Sequence, residues 1–202
     1  MTERSVNEAI TMAPKTKDQL ETIKGEKRQR ILQAAVELFA RHGYAHTSIS
    51  QIAQNAGISK GLIYNYFESK ETILHELVND LFQAMYERFG LMGKSELTRD
   101  DYVAFINLSI DIVLEDLDRW KLYFSLLTQP NVLKMLRDDL MKQAAPYITL
   151  FYEYYKKQGH ENPEAWMRYV AAIIDGIQMH ILMDPENFPV EEVRKILLKQ
   201  IL

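Results

Sequence analysis

The stretch Thr47-Ser48-Ile49-Ser50-Gln51-Ile52-Ala53-Gln54-Asn55-Ala56-Gly57-Ile58-Ser59-Lys60-Gly61-Leu62-Ile63-Tyr64-Asn65-Tyr66-Phe67 encodes two short helices joined by a tight turn. Ile49, Ile52, Ala53 and Ala56 recur at helical spacing and give the first helix an inner face. Ala53 is small where two crossing helices must approach. Gly57 follows as the residue able to take positive φ at a helix C-terminus. Ser59 is placed to N-cap a second helix, with Ile58 and Ile63 set as a hydrophobic staple across the cap. Ala53, Gly57 and Ile63 together have the spacing of a helix-turn-helix. Such a unit pushes its second helix into a DNA major groove.

Working outward, the chain has 202 residues, 47% apolar and 26% charged, which reads as soluble and globular. With 8 Gly, 6 Pro and no strand-and-turn pattern, an all-α fold of about nine helices is expected. There is no cysteine, so disulfides, thiolate metal sites and cysteine catalysis are excluded. No apolar run reaches the ~20 residues that span a bilayer, and Met1 to Leu20 lacks a signal-peptide core. A cytoplasmic protein with no membrane partner is expected.

Charge is unevenly placed. From Lys24 to Lys70, seven basic residues (Lys24, Lys27, Arg28, Arg30, Arg41, Lys60, Lys70) face three acids (Glu26, Glu37, Glu68), a surplus of four positive charges. The whole chain carries −4, so the remainder holds a surplus of eight negative charges. A basic module on an acidic body is the asymmetry of a protein that meets phosphate at one end.

The expected organisation is a flexible arm over residues 1–23, a helix-turn-helix DNA-binding domain over 24–70, and a ligand-binding and dimerisation domain over 71–202. A helix from Glu26 to Arg41 carries the stripe Ile31, Ala34, Ala35, Leu38 and Phe39. Thr47 and Ser69 are the expected N-caps of the second and fourth helices, and the fourth runs from Lys70 to Phe89. Thr98 with Asp101 reads as a capping box, Gln129-Pro130 as a helix stop, and Pro146 as a point where a long helix loses a backbone bond.

The second helix of the motif should turn Ser59, Lys60, Gly61, Leu62, Tyr64 and Asn65 outward or to its N-terminus, where backbone N–H groups attract phosphate. Lys60 adds charge, Gly61 permits close approach, and Tyr64 offers a ring and a hydroxyl. Thr47, with Ser48 beside it, and Lys70 are placed to hold the DNA backbone. Tyr66 fits either DNA contact or the core, and Phe67 fits the core.

At Ile31 through Phe39, Gly43-Tyr44, Thr47, Ile52-Ala53, Ala56-Gly57, Ser59-Lys60-Gly61, Tyr64, Tyr66-Phe67 and Ser69-Lys70-Glu71, the sequence resembles the N-terminal domain of TetR-family transcriptional regulators. The resemblance implies that Thr47, Lys70 and the hydroxyls of Tyr64 and Tyr66 contact phosphate. It implies that Ser59, Lys60, Gly61, Leu62 and Asn65 face bases or nearby backbone. Asn65 stands where many relatives carry a basic or imidazole group, and can bond adenine N6 and N7 or backbone alone. The implied function is a ligand-responsive regulator, a repressor, that binds double-stranded DNA at a palindromic operator as a homodimer.

Beyond the motif, Tyr169, Ala172, Ile173, Gly176, Ile177 and His180 form neighbouring stripes on one helix, and Val193, Ile196 and Leu197 lie on the last. Two such helices from each of two chains would build a four-helix bundle with two-fold symmetry, resembling the family's dimers. The same stripes also fit monomer core. The resemblance further implies a small-molecule cavity, with Met85, Phe89, Phe105, Tyr123, Phe124, Phe151, Tyr152 and Tyr155 as candidate lining for an apolar or aromatic effector. His42 and His46 are separated by Gly43, and His75, His160 and His180 stand alone, so neither metal nor cofactor is expected. No Ser/His/Asp grouping or phosphate loop appears, so no enzyme is expected. The rival reading is a helical ligand-binding or protein-interaction module that has lost specific DNA binding.

Overall fold

The computed structural model describes residues 16–202, within which nine helices and no strand occur. They are α1 (Lys17–His42), α2 (Ile49–Asn55), α3 (Lys60–Ile63), α4 (Lys70–Phe89), α5 (Arg99–Glu115), α6 (Leu117–Leu127), α7 (Pro130–Lys157), α8 (Pro163–Met183) and α9 (Val190–Ile201). Most of the arm expected over 1–23 lies outside the described residues. Its last part is helical instead, because Thr16 and Gln19 form a reciprocal capping box: Gln19 N–H donates to Thr16 Oγ1 at 3.3 Å and Thr16 N–H to Gln19 Oε1 at 3.0 Å.

Helix α2 begins one residue later than expected. Ser48, not Thr47, is its N-cap, and shares a capping box with Gln51. Gly57 takes φ 66° at the turn into α3, a left-handed conformation that a side chain would strain. Ser59 caps α3 by accepting the Leu62 N–H at 3.3 Å. The α3 helix proper is only Lys60–Ile63; Tyr64 to Phe67 continue it as a turn in which the Tyr66 and Phe67 N–H groups both reach Ile63 O. Ser69 caps α4, and Thr98 with Asp101 caps α5 as a box. Helix α7 runs through Pro146.

Helix α1 packs against α2, α4 and α6, so it belongs to both ends of the molecule. Ile31, Ala35, Phe39, Ile52, Ile63, Ile73 and Leu74 are fully buried around it. The larger end joins α5, α7, α8 and α9 around Tyr102, Ile106, Ile110, Val113 and Ile181, and both ends share one hydrophobic cluster. Fully burying one such aliphatic side chain contributes about 1.5–3 kcal/mol, so the shared core ties the short α2–α3 unit to a large body.

Candidate nucleic-acid interface and cavity

The surface around α3 is built by a division of labour at adjacent residues. Ile63 is fully buried and Phe67 nearly so, which fixes the roll of α3. Ser59, Lys60, Gly61, Tyr64 and Asn65 are thereby exposed, while Leu62 and Tyr66 are half-buried. Tyr64 is 50% exposed, a large ring left in solvent. The side chains of Lys60, Tyr64 and Asn65 make no hydrogen bond or ion pair within the described residues.

Thr47 and Lys70 are placed differently from expectation. Thr47 is buried, and its hydroxyl donates to Gly43 O at 2.9 Å. Its side chain therefore holds the turn before α2 and does not face solvent, whereas Ser48 is exposed. Lys70 reaches from the start of α4 to donate to Tyr44 O at 2.7 Å and Thr47 O at 2.8 Å, with its ammonium 4.3 Å from the Tyr44 ring centroid. Desolvation lowers its pKa. Two of its three N–H donors are thus spent on carbonyls, so Lys70 positions the 43–47 turn.

The same turn is held from the other side by a residue that sequence reading passed over. Gln129, between α6 and α7, accepts the Tyr44 N–H at 2.9 Å and donates to Phe39 O at 3.0 Å. Ser125 on α6 donates to Ala40 O at 3.1 Å. In the sequence Gln129 reads only as the residue before Pro130; nothing local marks a partner so distant. Arg28 pairs with Glu76 and Asp80 on α4, which neutralises one of the seven basic residues. Lys24, Lys27, Arg30, Arg41 and Lys60 remain without an ion pair among the described residues.

A cavity of about 260 Å³ opens between α4, α5, α7 and α8. Met85, Phe89, Phe105, Phe151 and Tyr155 line it as expected. Tyr123, Phe124 and Tyr152 do not. Helix α6 turns Tyr123 toward the groove between α1 and α4 and sets Phe124 beside Trp120, and Tyr152 lies exposed on α7. Sequence reading missed Ser109, Asp175 and Gln178 as lining, since isolated polar residues on apolar helices carry no pocket signal. Tyr102 also lines it, and its hydroxyl lies 2.5 Å from that of Tyr155. Burial pushes the Tyr102 phenol far up and that of Tyr155 up to about 12, so both stay neutral. The larger groove between α1, α4 and α6 interleaves charges of both signs and is open to water, which suits an apolar ligand less well.

On the outer side of α8 and α9, Tyr169, Ala172, Gly176, His180 and Ile196 are exposed, and Ile173 and Val193 half-buried. Ile177 and Leu197 are buried in the chain's own core, which corrects their expected place on a dimer face. Met179 and Met183 add to the exposed outer side of α8, 37% and 71% exposed. Gln200 donates to the Tyr169 hydroxyl at 2.6 Å and fixes α9 against α8.

The family model "Bacterial regulatory proteins, tetR family" matches residues 31–77. The chain is 34% identical over 94 residues to YuxN, an uncharacterized HTH-type transcriptional regulator of Bacillus subtilis, a match covering 46% of this chain and 32% of that protein. The chain thus spans about a third of that relative's length. It is 26% identical over 185 residues to YdgC, another uncharacterized HTH-type transcriptional regulator of Bacillus subtilis, covering 85% of this chain and 91% of that protein. Its fold matches that of NalD, the secondary repressor of the MexAB-OprM multidrug efflux pump in Pseudomonas aeruginosa, with TM-score 0.67 and 22% identity over 88% of this chain and 95% of that one. No helix among the described residues is long and apolar enough to cross a membrane. The match over residues 31–77 thus places the N-terminal part of this chain in the tetR family of bacterial regulatory proteins, and the fold is shared with NalD over most of its length.

Proposed function

We propose that the protein is a homodimeric repressor that binds a palindromic operator and is released by a small effector. Residues 24–70 read DNA, and residues 71–202 bind the effector and dimerise. The observation that carries this reading is the exposed, unpaired set Lys60, Tyr64 and Asn65, projected by a turn clamped from both sides. Lys60 and Tyr64 suit phosphate and Asn65 suits a base edge. The apolar outer face of α8 and α9 supports a two-fold interface, which would supply the second half-site.

Effector release requires a ligand with different affinities for two arrangements. Helix α4 leads from the reader to the cavity, and Gln129 adds a second connection, from the α6–α7 junction to the turn before α2. A cavity ligand that shifts α7 would act through both.

Titration of the DNA upstream of the protein's own gene, against scrambled DNA at several salt concentrations, tests the reading. Specific binding should exceed random binding and weaken with salt at a log–log slope of about −0.9 per neutralised phosphate. Equal affinity for both DNAs would instead favour a helical module without specific DNA binding.

A further inference from the structure

We propose that the cavity takes an organic monocation with an apolar or aromatic body, its charged nitrogen held beside Asp175. This deepens the reading of the cavity as the effector site and rests on it. Among the described residues, Asp175 is the one charged side chain that lines the cavity, and no Lys, Arg or His does so. Within the described residues its carboxylate has no hydrogen bond and no ion pair. It stands on α8 between the row Ala171, Ile174 and Gln178, which lines the cavity, and the outward row Ala172, Gly176 and Met179. It is thus a rim group open to entering ligand, yet its apolar surroundings desolvate it and raise its pKa. An unpaired carboxylate in such a setting is stabilised by a counter-charge.

The rest of the wall suits a cation too. Phe89, Phe105 and Phe151 form a run of ring contacts, with centroids 4.8 Å and 4.6 Å apart along it. Tyr102 adds an edge contact to Phe151 at 6.2 Å. Neutral aromatic rings attract an ammonium held within ~6 Å of their faces. The polar groups left over are weighted toward acceptors. Gln178 Nε2 donates to Ser109 O at 2.6 Å, which leaves the amide oxygen without an intramolecular partner. The Ser109 hydroxyl donates to Phe105 O at 2.7 Å. The side-chain donors left among the described lining residues are the second Gln178 amide N–H and phenolic O–H groups, none of them charged, so a carboxylate ligand would meet Asp175 with no cation to offset it. A neutral ligand would fill the cavity and leave the carboxylate unpaired.

The test compares phenyltrimethylammonium, its uncharged isostere tert-butylbenzene, and phenylacetate, each titrated into the full-length protein by calorimetry and intrinsic fluorescence. The cation should bind at least tenfold more tightly than the isostere, and phenylacetate more weakly still. Asp175→Asn, at an exposed helical position, should lose tenfold or more for the cation and leave the isostere unchanged. Ala171→Phe, which fills the cavity from another exposed position, should abolish binding of both. Equal affinities for cation and isostere, an unchanged Asp175→Asn, tighter phenylacetate, no cation binding, or cation binding that survives Ala171→Phe would each overturn the assignment. DNA binding of the same proteins is measured in parallel without probe. Intact specific DNA binding with no charge preference in the cavity fails the ligand assignment alone. Absent specific DNA binding fails the regulator reading and leaves the cavity result standing.

Discussion

Gln129 and Tyr44 are 85 residues apart in the chain, yet the Tyr44 N–H donates to Gln129 Oε1 at 2.9 Å. The same amide donates to Phe39 O, so one side chain closes the end of α1 and the turn after it. Gln129→Ala should cost about 1–3 kcal/mol by leaving the part-buried Tyr44 N–H without its acceptor, read as a lower urea midpoint. Gln129→Glu separates the two bonds, because a carboxylate accepts from Tyr44 but cannot donate to Phe39. It should weaken the effector's influence on DNA binding more than DNA binding itself. Unchanged effector release in both variants would remove Gln129 from the coupling.

Lys70→Met removes the donor that joins Tyr44 O to Thr47 O. Hydrogen bonds from charged groups contribute about 1.5–3 kcal/mol, and partial exposure places Lys70 near the lower end. DNA affinity should fall together with stability, because the turn that carries Ser48 loosens. A loss of affinity with an unchanged melting temperature would make Lys70 a phosphate contact and not a clamp.

Tyr64→Ala and Lys60→Ala alter exposed side chains without partners, so stability should move by no more than about 0.5 kcal/mol. Tyr64→Ala should lower operator affinity about tenfold or more in an anisotropy titration. Lys60→Ala should reduce the log–log salt slope by about 0.9, the signature of one lost phosphate contact. An unaltered slope would place Lys60 away from the backbone.

A Cβ added at Gly176 meets nothing within 4 Å, so Gly176→Glu is tolerated within the protomer. On the proposed face it buries an unpaired charge, and light scattering should report a folded monomer with weakened operator binding. A dimer of unchanged mass would move the interface elsewhere.

The Lys94 ammonium and the Thr98 cap hold Asp101 at a pKa of about 2, below the ordinary 3.8. Because the folded value is depressed, this stabilisation is present above about pH 4 and is lost as pH falls toward 2. Urea unfolding of the wild type and Asp101→Asn should therefore differ at pH 6 and converge near pH 2. A constant difference would show that the cap, and not the charge, dominates.

Local chemistry was readable where it is decided locally. Gly57, Ser59, Ser69 and the Thr98–Asp101 box each act within a few residues, and the structure keeps them in those roles. Thr16–Gln19 carried the same signature and extends α1 into residues expected to be an arm. Thr47 was misread because a hydroxyl beside a helix start caps as plausibly as its neighbour; burial against Gly43 decides. Tyr123 and Phe124 share the aromatic pattern of the cavity residues, and only the packing of α6 on α1 separates them. Gln129 and Asp175 carry no periodicity, so their meaning lies entirely in what the fold brings beside them.

The 43–47 turn, fastened by Thr47, Lys70 and Gln129, fixes the backbone ahead of α2 before any DNA arrives. The conformational entropy of that segment is then lost during folding and not again on association. Binding should accordingly show no heat-capacity signature of coupled folding from this turn. On the proposed function, loosening the clamp would transfer that entropy cost to the encounter with DNA, and a body that pulls on Gln129 would weaken the complex without touching a base.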